Sequence, residues 1–70
     1  MATFNDLVEA AMLKYPKARR IAVENFSSGY SYMSREAEMN LSLDTRLYKW
    51  TAPTVSAIKM VIKAKAKLGQ

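Results

Sequence analysis

From Thr51 onward, apolar side chains recur at helical spacing and lysines collect on the other side. No other pattern in the chain constrains its fold as much. At 100° per residue, Val55, Ile58, Val61 and Ile62 share one face of a helix, with Ala57, Ala64 and Leu68 beside it. Ala52, Ser56, Lys59, Lys63 and Lys67 fall within an arc of about 80° on the opposite side, and Lys65 stands outside that stripe. Thr51 suits the N-cap. Ala52 and Pro53 suit the first turn, where a missing N–H costs little, and Gly69 suits the C′ position. Lysines in the last turns complement the negative end of the helix dipole. Such a helix needs a surface against which to bury its apolar face, and the residues before Thr51 must supply it.

Those residues read as further helices. Thr3, with Asp6 three positions on, spells a capping box. Phe4, Leu7, Val8, Ala11 and Tyr15 follow at helical spacing, with Met12 alongside. Pro16 stops this helix and is suited to open a second one running to about Phe26, with Ala18, Ile21, Ala22 and Phe26 inward and Arg19 and Arg20 outward. Ser27–Met33 reads as a loop, with Gly29 as a cap or turn residue. Residues 36–44 carry two conflicting signals. Ala37, Met39, Leu41 and Leu43 alternate with polar residues, as in a strand, yet Glu, Ala, Met, Leu and Arg favour helix. Helix is the preferred reading. With Ser34 as cap, it places Met39, Leu43, Leu47 and Trp50 on one side and Ala37, Leu41 and Tyr48 adjoining. The other reading makes an α+β fold with a hairpin at about residues 29–44. The expected architecture is therefore a single all-α domain over residues 1–70, a small bundle of four short helices with a helix-turn-helix-like pair at its C-terminal end.

Charge narrows the function. Arg46 to Gln70 hold six basic residues and no acidic one, whereas residues 1–45 hold five basic and six acidic. The net +5 is thus a local patch, which suits a polyanion or an acidic protein surface as partner. Lys14, Lys17, Arg19 and Arg20 form a second basic cluster that Glu9 and Glu24 can pair with. The chain has no Cys and no His, no Gly-rich phosphate loop and no metal-ligand spacing, so the expectation is no enzyme, no catalytic residue, no metal and no cofactor. No apolar run is long enough to span a membrane, and the first residues, with no basic start and with Asp6 and Glu9 among the apolar ones, are not expected to act as a secretion signal. With no cysteine, this fits a cytoplasmic protein of a bacterial cell or host. A chain of 70 residues builds only a small core, which self-association as a homodimer would help to cover.

Leu41–Ile58 resembles a helix-turn-helix DNA-binding unit. Trp50 follows the turn, Thr51 caps the second helix, and Val55 and Ile58 pack it onto the first. Tyr48 closes the first helix, and Thr45 takes the tight crossing position. The chain departs from the pattern at Lys49, where the turn usually has glycine, and at Asp44, where an apolar residue is usual. The resemblance implies that Thr51, Ala52, Pro53, Ser56 and Met60 face the major groove, while Arg46, Lys49, Lys59 and Lys63 meet phosphates and Lys67 continues their stripe. Few of these residues can make bidentate base contacts, which implies weak or shape-based readout. On this reading the chain is a small basic DNA-binding protein, a regulator working as a dimer.

The alternative is a stand-alone adaptor or inhibitor that binds another protein, such as a bacterial-virus accessory protein acting on a host protein. It would use the lysine face or Tyr30, Tyr32 and Met33, residue types enriched at interfaces. Tyr30, Tyr32, Tyr48 and Trp50 also have the ring faces that stack on single-stranded bases, although the preferred reading puts Tyr48 and Trp50 in the core and leaves only the loop tyrosines exposed. A membrane-surface role would need the apolar face that the last helix spends on the domain itself.

Overall fold

Four α-helices make up the described chain: α1 (Phe4–Lys14), α2 (Arg20–Ser27), α3 (Arg35–Tyr48) and α4 (Ala52–Gly69). The structure, a computed structural model, describes residues 2–29 and 35–69. Among the described residues there is no strand, and the fold is a small all-α bundle. The α+β alternative with a hairpin at about 29–44 is overturned, because residues 35–48 form one continuous helix. Helix propensity prevails there over the period-two pattern, since no β-branched or aromatic residue occurs in 36–44 to favour a strand. Ser34, the expected cap, lies outside the described residues.

The first helix starts as its sequence dictates. The Thr3 hydroxyl accepts from the Asp6 N–H at 3.2 Å, and the Thr3 N–H donates to the Asp6 carboxylate at 2.9 Å. Pro16 ends the ladder, and the Tyr15 N–H donates to the Ala11 carbonyl at 2.8 Å. Val8 and Ala11 are buried, and Phe4, Leu7, Met12 and Tyr15 pack around them.

Pro16 does not open the second helix. Residues 16–18 form a turn instead, and α2 begins at Arg20. Arg19 stays extended because its N–H donates to the Thr54 hydroxyl at 2.8 Å, a contact across 35 positions. That anchor sets the rotational phase of an eight-residue helix. Val23 and Ser27 face the core, and Ile21, expected inward, is 70% exposed. Gly29 has an ordinary φ and open space where a β-carbon would stand, so this turn does not require glycine. Both ends of α2 are held by α4, at Thr54 and at Lys65, so the two helices run side by side in the same direction. The Thr3–Leu7 end of α1 meets Lys65 and Leu68, which sets α1 antiparallel to α4.

The floor of the bundle is α4. Ile58, Val61 and Ile62 are fully buried, as their spacing predicts, and Ala57 beside them is too, whereas Val55, expected on the same face, is only partly buried. Thr54 joins them, which the apolar pattern does not reveal, while Leu68 is exposed and Gly69 remains within the helix rather than after it. From α3 only Leu41 enters the described core. Met39 and Leu43, expected on the inward side, are exposed. The side chains of Ala37, Leu47 and Tyr48 lie outside the description.

Thr54 is the polar pivot of this arrangement. Thr54→Val keeps the shape but leaves the Arg19 N–H without its partner. It is expected to cost about 1–3 kcal/mol in urea unfolding, with Thr54→Ser recovering most of the loss. Equal stability of Thr54→Val and the parent would show that this contact holds nothing.

Candidate nucleic-acid interface

The connection between α3 and α4 is three residues long and tightly made. Lys49 adopts a φ of 52°, the left-handed region that glycine enters without penalty. This is the position where the resemblance expects glycine. The Thr51 carbonyl accepts from the Val55 N–H at 3.2 Å, which makes Thr51 the N-cap residue of α4. Its hydroxyl lies 3.3 Å from that of Thr54. The Trp50 ring meets Phe26 of α2 edge-on, with centroids 5.8 Å apart and planes at 84°. On α3, the Thr45 hydroxyl donates to the Leu41 carbonyl at 2.7 Å, which folds the side chain back onto its own helix. The side chains of Asp44 and Tyr48, both used in the resemblance, lie outside the description.

The lysine row of α4 is open. Lys59, Lys63 and Lys67 are exposed, successive members are about 6 Å apart along the axis, and none makes an ion pair among the described residues. Arg46 and Lys49 are likewise exposed. A groove between α3 and α4 has Leu41, Thr45 and Val55 along its base and Ser42, Arg46, Lys59 and Glu38 along its rim. Glu38 is therefore the one carboxylate that lines this groove among the described residues. Thr51 and Ala52 are exposed, and Pro53 and Ser56 are half-buried. Met60, expected to face a groove, packs against the core instead.

Other cations are already engaged. Arg20 pairs with Glu9 at 2.6 Å and with Glu24 at 3.1 Å, and its hydrogen bonds to Glu9 and then Glu24 hold its guanidinium above the ordinary arginine range. Lys65 has a role that charge counting misses. Its ammonium donates to the carbonyls of Ser27 and Ser28 at 2.8 and 3.1 Å and lies 5.5 Å from the centre of the Phe4 ring. It thus caps the C-terminus of α2, and burial pushes its pKa below the usual lysine range. Its position off the lysine stripe was the available sequence signal.

The expected protein-binding residues Tyr30, Tyr32 and Met33 lie outside the described residues. Among those described, no helix is long and apolar enough to cross a membrane. No protein-family model, curated protein or solved structure matches this chain.

Proposed function

We propose that this chain is a small DNA-binding protein that meets the phosphate backbone and major groove of a duplex through α4. The observation carrying this reading is the open row of Lys59, Lys63 and Lys67, which no described carboxylate neutralises. A solvated lysine face alone would say little. Here it follows a short turn whose Lys49 has the backbone conformation usual at the glycine of helix-turn-helix units, and that turn leads into a helix with Thr51 at its N-cap position. Thr51, Ala52 and Ser56 at the start of α4 offer a small, weakly polar surface to base edges. Affinity would then come mainly from phosphates, and sequence preference from duplex shape.

A fluorescence-anisotropy titration against random duplex at several salt concentrations tests this. Contacts from Arg46, Lys49, Lys59, Lys63 and Lys67 predict a slope of log affinity on log salt of about −4.5, at about 0.9 per phosphate. Between about 50 and 200 mM salt, that is a loss of more than 100-fold. No shift of any duplex at the lowest salt ends the reading.

One observation favours a second reading, a protein-binding adaptor. Met39 and Leu43, four positions apart on α3, are 60% and 50% exposed. Apolar pairs at this spacing share a helix face and suit a partner surface, either a second copy in a dimer or a different protein. Binding of this kind would be almost indifferent to salt, which separates it from the first reading.

A further inference from the structure

The turn at residues 16–19 and the turn at residues 49–51 are far apart in sequence, yet they wall one small concavity. Lys17, Arg19, Lys49, Trp50, Thr51 and Thr54 line it. All three cations are exposed, no carboxylate lines the hollow, and none of the three forms an ion pair among the described residues. Like charges that share one small hollow repel one another, and no carboxylate lines that hollow beside them. The seam is also held firmly, because the Arg19 N–H to Thr54 hydroxyl bond ties one turn to the base of α4.

Lys49 adds an independent observation. Its φ of 52° is a conformation disfavoured for any residue with a β-carbon and relieved by glycine. A side chain held where its own backbone is strained points to a use other than stability.

We propose that this seam is a second phosphate-backbone contact for a duplex, with Lys17, Arg19 and Lys49 holding phosphates about one groove width from Lys59. From Ala52, beside the seam, to Lys59 is about 10 Å of helix rise, comparable with the roughly 12 Å width of the major groove. The seam and the lysine row would then hold the two strands that border one groove. This inference rests on the nucleic-acid reading above. It adds Lys17 and Arg19 to the interface, two residues that the sequence places in a cluster within reach of Glu9 and Glu24.

The test uses the full chain and a random duplex of about 20 base pairs, a length that spans two helical turns. The triple variant Lys17→Gln, Arg19→Gln, Lys49→Gln, checked for unchanged helicity by circular dichroism, is expected to make the salt slope shallower by about 2–3. Lys49→Gly alone is expected to make it shallower by about 1 while raising the melting temperature by about 5 °C. A slope in the triple variant that is shallower by only the roughly 1 that Lys49 itself contributes, with binding still lost in Lys59→Glu plus Lys63→Glu, overturns the seam and leaves the nucleic-acid reading standing. Failure of the parent chain to bind any duplex, with capture of an acidic protein instead, overturns both. A melting temperature that does not rise in Lys49→Gly removes the strain argument and counts against the seam.

Discussion

Reversing two charges, Lys59→Glu together with Lys63→Glu, is expected to abolish duplex binding while leaving the fold intact. Each substitution replaces an attraction to phosphate by a repulsion. At about 2 kcal/mol per site near a protein surface, two reversals lower affinity on the order of 1,000-fold. Stability should barely move, for reasons internal to α4. The parent row places like charges at i, i+4 from Lys59 to Lys63 and from Lys63 to Lys67, each pair costing a few tenths of a kcal/mol. The double variant keeps one repulsion and turns the other into an attraction to Lys67. Lys67 itself is best left alone, since it sits in the last turn, where a cation complements the dipole. Anisotropy titration at low salt, alongside thermal melts, is the measurement. Retained affinity in a folded double variant would exclude α4 from the interface.

The second large effect concerns the core. Ile62→Ala is expected to remove about 2–5 kcal/mol. A 70-residue domain has roughly 4–10 kcal/mol in all at 0.05–0.15 per residue, so this one change takes a large share of it. Ile62 is fully buried, and the described core holds few other large side chains, with Ile58, Val8, Val23, Val61 and Leu41 the main ones. Small residues fill the remaining sites at Ala11, Ala18 and Ala57, so neighbours have little bulk with which to collapse into a cavity. The melting midpoint should fall by about 10 °C or more, at about 4–8 °C per kcal/mol for a domain of this size. A fall of less than a few degrees would place the stabilising core elsewhere.

What the sequence showed and what it hid follow from the range of the forces involved. The start of α1 was legible because Thr3 and Asp6 satisfy each other within one turn. The buried face of α4 was legible because a helix of 18 residues repeats its pattern several times. The helical course of residues 35–48 was legible from residue types, although its inward side was not. Among the described side chains of α3, Leu41 is the one buried in the core, and an amphipathic count over Met39 and Leu43 cannot identify it.

For the phase of α2, no local signal was available. Eight residues hold too few turns to outvote a tertiary tether, and the Thr54 hydroxyl supplies that tether. The candidate interface divides in the same way. The row on α4 comes from spacing within one helix. The meeting of Lys17 and Arg19 with Lys49, and the withdrawal of Lys65 onto the carbonyls of Ser27 and Ser28, depend on how separate segments dock.

The double tether of α2 has a consequence for how the chain matures on the ribosome. A helix of eight residues is too short to persist in water by itself. The lysine that caps its far end is made 38 positions after Ser27. At about 5–20 residues per second, α2 must wait roughly 2–8 s for that lysine to be polymerised, and longer for it to leave the exit tunnel. Until then Val23 and the α1 side chains Val8 and Ala11 have no lasting cover, so the nascent chain acquires its shape late and all at once rather than from the front.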